Sequence, residues 1–398
     1  MRILVIADHI PYPPSSGTSI RNYNLLKRLA RAHEVWLVCF AREEDGPAIE
    51  HLRSFCQGVE TVAVKLSHAL ERPGQALEYI LHRYPIELRH YHSPLMAKKI
   101  QQLCGMVAFD VVDIIDSYMG LYLESLPETL HHKTVLTFID IVFNKYERIW
   151  RLEPTTARKF RMWLYACGMR DWEPCYAMRF ARRIMVSDAD GRLLRSRNSL
   201  LDYDVVPNGI DTTLFQPLPL PSGPPALLFV GNMNYRPNID AVQYFCAEIF
   251  PAVRAAVPGV QFHITGINPS AEVLALQSAD IHVTGAVDDV RPWYGLSTIC
   301  VVPLRAGGGT RLKILESMAL GRPVVSTSIG CEGIAVEDGR HLLVADDPAS
   351  FSAKILHLFG DASARERIIA RARELAVRQY DWDVITERLL QIYAEVAL

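Results

Sequence analysis

The stretch that most restricts how this chain can fold runs from Ile299 to Gly333, ICVVPLRAGGGTRLKILESMALGRPVVSTSIGCEG. It opens on a short apolar run (Ile299, Val301, Val302), as expected of a strand buried on both faces. Gly307, Gly308 and Gly309 follow, and then Leu312, Leu315, Met318 and Ala319 recur at helical spacing along one face. Gly321 and Pro323 end that helix in the usual order, and Val324-Val325 resumes the sheet. A strand, a glycine turn and a helix N-terminus bring unsatisfied N–H groups and the positive end of the dipole to one place, which suits an anion. Thr310, Arg311 and Lys313 are expected in the first turn of the helix. Two cations there oppose the dipole, and a phosphate accounts for them. Lys313 and Glu316 share a face, so one helix can offer a cation to phosphate and a carboxylate to sugar hydroxyls. Glycine-rich turns are also common in α/β proteins, and Lys313 with Glu316 could be a surface ion pair of little weight; on spacing alone both readings stand. The GxxxxGK[ST] pattern of a P-loop is absent.

The segment PLRAGGGTRLKILESMALGRPVVST resembles the donor-nucleotide signature of group 1 glycosyltransferases, retaining enzymes of the GT-B architecture. The similarity is greatest to bacterial sugar transferases of exopolysaccharide and surface-glycan loci. It implies an α/β fold of two Rossmann-like domains facing across a cleft, with a C-terminal helix packing back on the first. The expected boundaries are 1–205 with 380–398 for the acceptor domain and 206–379 for the donor domain.

Length and composition agree with that plan. A chain of 398 residues suits two domains that each bury a core. A net charge of −2 gives no electrostatic reason for a nucleic-acid partner. The eight cysteines are scattered without a CxxC pair, which favours a reduced, cytoplasmic setting. No stretch has the length of a membrane span, so contact with a membrane is expected to be peripheral.

In chain order, Ile3 to Ala7 reads as a strand, followed by the proline-rich loop HIPYPPSSGTS, a helix from about Ser19 and a strand over Val35 to Phe40. This is βαβ. Gly17 matches the glycine that the resembled family places near donor phosphates and acceptor; an ordinary loop glycine is the equal alternative. Val59–Val64, Phe109 to Ile115 and Lys133 to Phe138 read as strands, and Pro73 to Ile100 as helix with a break at Pro85. Where the family often has a histidine followed by an acid, this chain has Ile139-Asp140. A carboxylate at the C-terminal end of a parallel strand faces the ligand crevice, so Asp140 is the acceptor-side candidate. Lys145 to Arg183 interleaves ten basic residues with Trp150, Trp163 and Trp172. This suits an anionic membrane surface; solvated helices with core tryptophans are the alternative.

VVPNGIDTTLF matches the family's hinge element, and five prolines in Gln216 to Pro225 mark a linker. LLFVGNMNYRPNIDAV then opens the donor domain, with Gly231-Asn232 as a turn. By the resemblance, Arg236 is the cation for the donor diphosphate and the turn from Val287 to Arg291 holds the nucleobase. Many relatives carry a Glu where Gly308 stands, so the sugar is left open. These readings together imply transfer of a sugar from a nucleotide-diphosphate sugar to a glycan, lipid-linked or small-molecule acceptor, with retention. Arg236, Arg311, Lys313 and the amides near Gly309 and Thr310 would hold the diphosphate, Glu316 the ribose, and no metal or other cofactor is expected. A sugar-nucleotide epimerase and a non-catalytic nucleotide-sugar-binding protein remain the rival readings.

Overall fold

A computed structural model describes residues 1–63, 85–153, 155–307 and 309–398. The chain divides into two compact units, the first made of residues 1–147, 157–207 and 385–398, the second of 148–156 and 208–384.

Among the described residues the first unit is built on a seven-stranded sheet: β1 (Arg2–Ala7), β2 (Glu34–Ala41), β3 (Gly58–Ala63), β4 (Val111–Ile115), β5 (Thr134–Phe138), β6 (Arg182–Met185) and β7 (Asp204–Val205). Its order is β3-β2-β1-β4-β5-β6-β7, with every pair parallel. The central strands β4 and β5 are buried along their whole length, which is why they read as mostly apolar runs, interrupted by Asp113 in β4 and by Thr134 and Thr137 in β5. β1 lies between β2 and β4, so the direction of winding reverses there and a crevice opens at the carboxyl ends of those strands. Helix α1 (Gly17–Leu29) starts from a capping box in which Ser16 Oγ accepts from Ser19 N at 3.2 Å and Ser19 Oγ accepts from Ser16 N at 2.8 Å. The preceding loop is pinned at Tyr12, whose ring stacks 4.0 Å from His51.

Residues 73–84 of the helix expected over Pro73 to Ile100 lie outside the described residues. Its described part is a 3₁₀ turn over Ile86–His90 and then α2 (Pro94–Met106). Ser93 caps α2 through Met96 N, so the break expected at Pro85 extends to Ser93. α3 (Val142–Leu152) and α4 (Thr156–Tyr176) occupy the basic, tryptophan-bearing region. Trp163 is 46% exposed, with Phe160 at 62% and Leu164 at 40%, so the reading of core tryptophans fails for Trp163.

The second unit has, among the described residues, a six-stranded parallel sheet: β8 (Ala226–Val230), β9 (Gln261–Thr265), β10 (Ile281–Gly285), β11 (Ile299–Val302), β12 (Val324–Ser326) and β13 (Leu343–Val344), in the order β10-β9-β8-β11-β12-β13. Its switch point lies between β8 and β11. These two strands deliver α5 (Arg236–Tyr244) and α6 (Leu312–Ala319) at their carboxyl ends.

The last helix, α7 (Trp382–Ala397), starts in the second unit and from Ile385 onward belongs to the first. Its Tyr393 hydroxyl donates to Asp113 Oδ2 in β4. Asp113 Oδ1 accepts from Thr137 Oγ1 at 2.8 Å, and the charge of buried Arg21 reaches the same carboxyl. Buried polar groups need such partners, and here they lock residues 385–398 to the first sheet.

Candidate functional site

In the second unit the glycine loop after β11 turns on Gly307 (φ 124°) and Gly309 (φ 68°), conformations costly for any residue with a Cβ. Gly308 lies outside the described residues. The turn keeps the chain out of helical geometry until Leu312: Arg311 is the extended N-cap of α6 and Thr310 precedes it. Both residues therefore stand just before the helix rather than in its first turn as expected. Arg311 is buried, and its guanidinium folds back onto Gly309 O. Thr310 Oγ1 is buried without a hydrogen-bond partner among the described residues. Arg148 donates to Gly307 O at 2.6 Å and grips Glu332 through both guanidinium amines. Sequence reasoning missed Arg148 and Glu332, since a surface-like arginine and a distant glutamate carry no spacing signal.

Lys313 is placed by β8 and α5 at once. Its Nζ donates to Asn238 Oδ1 at 3.1 Å and lies 3.8 Å from the Phe229 ring centroid, within cation–π range. Asn238 Nδ2 in turn donates to Asn232 O at 2.9 Å, which fixes the amide's orientation. Gly231 makes room for both: a Cβ there would sit 2.8 Å from Asn238 Nδ2 and 3.1 Å from Lys313 Nζ. Among the described residues no carboxylate lies within ion-pair distance of this ammonium. Burial pushes its pKa down to about 7, Arg311 adds to the fall, and only the charge of Glu316 opposes it.

Glu316 sits one turn further along α6. Its Oε2 accepts from the fully buried Tyr294 hydroxyl at 2.8 Å. Burial raises its pKa, while that hydrogen bond and Lys313 lower it. Tyr294 was not foreseen, because a tyrosine in the apolar run RPWYGL reads simply as core. Arg236 is the first residue of α5 and pairs with Glu272 Oε2 at 2.9 Å. Asn238, two residues on, is the α5 side chain that reaches Lys313. Val287 lies half-buried in the turn after β10. In that turn Asp289 is drawn to Arg291, whose Nε lies 3.0 Å from each carboxylate oxygen, and this hydrogen bonding holds its pKa low.

The first unit gathers a different set at the carboxyl ends of β1, β4 and β5. Asp140 lies 3.5 Å from Lys145 Nζ, and Ile139 is buried. Gly17 is the first residue of α1. Asp116, directly after β4, has a φ of 75° and is 7% exposed. Burial pushes its carboxyl up to about 7; Lys145 opposes this, and Asp8 and Asp140 reinforce it. His9 lies 2.6 Å from Asp8 Oδ1; burial would lower its pKa, but Asp8 and Asp116 raise it overall. Behind them Glu173 of α4 accepts from Ser117 Oγ at 2.7 Å and from Val142 N and Phe143 N, each at 3.1 Å. It thereby caps α3 and ties the loop after β4 to the loop after β5. Its burial raises its pKa to about 8. The signal available for Asp116 was an acid ending the apolar run FDVVDII; Glu173 had none.

Residues 224–361 match the model of the glycosyl transferases group 1. This segment is a group 1 glycosyltransferase segment. It contains β8, β11, α6 and the loop between them, and so all the cations of the second unit described above except Arg148. Among curated relatives, the chain is 27% identical over 258 residues to the phosphatidyl-myo-inositol mannosyltransferase of Mycobacterium leprae, covering 61% of this chain and 66% of that one. It is 30% identical over 216 residues to the D-inositol 3-phosphate glycosyltransferase of Acidothermus cellulolyticus, covering 48% and 47%. The chain thus spans between about half and two thirds of these two relatives. In solved structures, sucrose-phosphate synthase of Thermosynechococcus elongatus superposes with a TM-score of 0.70 at 17% identity, over 100% of this chain and 99% of that one. Anabaena HepE, solved with UDP and glucose, gives 0.65 at 16% identity, over 99% and 100%. The fold is GT-B.

Proposed function

We propose that the protein is a glycosyltransferase that moves a sugar from a nucleoside-diphosphate sugar, held by the second unit, to a hydroxyl of an acceptor held by the first. The observation that carries this reading is the ammonium of Lys313, placed by Asn238 and Phe229 beside the N-terminus of α6 without a carboxylate partner among the described residues. A buried cation in that setting is stabilised by an anion that arrives from outside the fold. Lys313, Arg311 and the amides opening α6 would meet the charge growing on the leaving diphosphate, and the unpartnered Thr310 hydroxyl would find an acceptor there. Glu316, steadied by Tyr294, would take ribose hydroxyls through its remaining acceptor capacity. The group 1 segment and the HepE complex with UDP and glucose support a nucleotide sugar as donor. Retention of the anomeric configuration rests on the family resemblance.

We further propose that no metal takes part. The helix dipole with Lys313 and Arg311 balances most of a diphosphate charge of about −2 to −3, and Asp289, in the nearest acidic pair, is engaged by Arg291. Calorimetric titration with UDP, GDP, ADP and TDP in excess chelator tests the reading directly. One of them is expected to bind, and its sugar conjugate to be hydrolysed or transferred without added metal. Binding of none, or activity that chelator abolishes and Mg²⁺ restores, would break the cation-based scheme.

The acceptor side is proposed to work at an anionic membrane surface. Phe160, Trp163 and Leu164 are exposed on α4 beside Arg158 and Arg161, a pairing of apolar and basic side chains that suits such a surface. No helix among the described residues is long and apolar enough to cross a membrane. Sedimentation with anionic vesicles at low salt, release as salt screens the attraction and weaker binding to neutral vesicles are the expected results. Equal recovery with both lipids would remove the idea.

A further inference from the structure

Two arginines close on the glycine loop that follows β11, one preceding it in sequence and one following it. Arg148, the first residue of the 148–156 segment that belongs to the second unit, donates to Gly307 O at 2.6 Å. Arg311 donates to Gly309 O. Arg311 also lies against Gly307, where a Cβ would sit 3.5 Å from its Nη2. Half-buried Glu332 accepts from both terminal amines of Arg148. Burial would raise the pKa of Glu332, but Arg148 and Arg311 bring it below its ordinary value, so one carboxylate lies in the field of both cations. Of these residues only Arg148 lies outside the matched segment 224–361.

A carbonyl oxygen facing a diphosphate would repel it, and the carbonyls of Gly307 and Gly309 are taken up by guanidinium groups instead. Arginine suits this, because its planar fork holds a carbonyl and a carboxylate at once, which an ammonium does less well. Resting on the reading that the second unit holds the donor diphosphate, we propose that Arg148 is a positioning residue for transfer, fixing the glycine loop ahead of α6. Glu332 holds Arg148 in place and tempers the positive charge that the diphosphate meets. The two roles leave different traces. Loop order counts most as charge grows on the leaving group, so it is read in turnover. Charge balance acts on the bound diphosphate itself, so it is read in affinity.

The experiment uses the full chain, calorimetry with whichever of UDP, GDP, ADP and TDP binds the parent, and turnover of the matching sugar conjugate. Arg148→Met leaves Glu332 unmatched in the field of Arg311. That diphosphate should then bind several-fold more weakly, and kcat should fall by about ten-fold or more. Glu332→Gln should bind it several-fold more tightly, with a lower kcat. In the double variant both charges go together, so affinity should return to within about two-fold of the parent while kcat stays about ten-fold down. A role in folding alone would not move affinity in opposite directions, nor restore affinity without turnover. Arg148→Lys serves if Arg148→Met fails to fold; it keeps the charge and loses the fork, so kcat should fall with affinity held. Parental kcat in either Arg148 variant overturns the proposal. So does a double variant that recovers turnover along with affinity, or a Glu332→Gln protein that binds the diphosphate no more tightly than the parent. If none of the four diphosphates binds the parent, the donor reading falls, and this proposal with it.

Discussion

The two units use the same device for opposite ends. Each is a parallel sheet with a switch point, and each places its polar groups where strands end, β8 and β11 in the second unit and β1, β4 and β5 in the first. At the second unit's switch point the chain adds a glycine turn, a helix start and the cations Arg311 and Lys313. At the first unit's it adds aspartates, with Glu173 behind them. A Rossmann-like crevice therefore fixes where polar groups gather, while a handful of side chains at strand ends fixes their sign. Lys313 has its pKa driven down and Asp116 has its pKa driven up by the same burial. Both are held close to neutrality, so each unit keeps a group whose charge a ligand can set.

The sharpest way to break the comparison is Lys313→Ala. If the second unit's site is a phosphate cradle, donor turnover should fall by about 2–4 kcal/mol in transition-state stabilisation, the scale for one preorganised donor. Donor hydrolysis or transfer kinetics at parental levels would leave the cradle without a function.

A smaller effect comes from pH. The depressed pKa of Lys313 means that the empty site is partly deprotonated above about 7, and a bound diphosphate favours the charged form. The terminal phosphate, with a pKa of about 6, is already ionised there. UDP affinity should therefore weaken from pH 7 to 9 by at most about ten-fold per pH unit, with proton uptake on binding visible as a buffer-dependent heat. A flat affinity and no proton uptake would place Lys313 in contact with solvent instead.

A test of stability rather than turnover probes the first unit. Glu173 has a folded pKa raised to about 8 from an ordinary value of 4.5, so the folded state holds its proton more tightly than the unfolded one. The stabilising contribution is complete below about 4.5 and is lost as pH rises through about 8. Thermal melts should show Tm falling across that window, with a shallower fall in Glu173→Gln, which stays neutral throughout. Parallel curves for the two proteins would mean that Glu173 is charged in the fold at neutral pH.

What could be read in advance follows the same division. The sheets were legible because strands buried on both faces leave mostly apolar runs, as FDVVDII does for β4 despite Asp113. Lys313 was legible because a cation near a helix start works against the dipole and needs a reason. Asn238 and Tyr294, which aim Lys313 and Glu316, were not, since a polar or aromatic residue on a core-facing helix looks like packing until its partner is known. Arg236, expected in the loop after β8, opens α5 and is drawn to Glu272, an exposed acid that spacing cannot pair with it. The first unit's site was least legible because its groups come from four separate segments, around residues 8, 116, 140 and 173.

The way residues 385–398 complete the first unit also bears on how the protein is made. Asp113 and Thr137 receive their closing partner, Tyr393, only after all of Asn208–Val384 has been synthesised. At about 5–20 residues per second that interval lasts about 10–35 s, and at its end the second unit has every segment it needs while the first does not. The unit translated first should therefore finish folding last. Ribosome-bound chains stalled before residue 385 are expected to show a protease-resistant second unit beside a cleavable first one, and equal resistance of both would show that the first unit closes without α7.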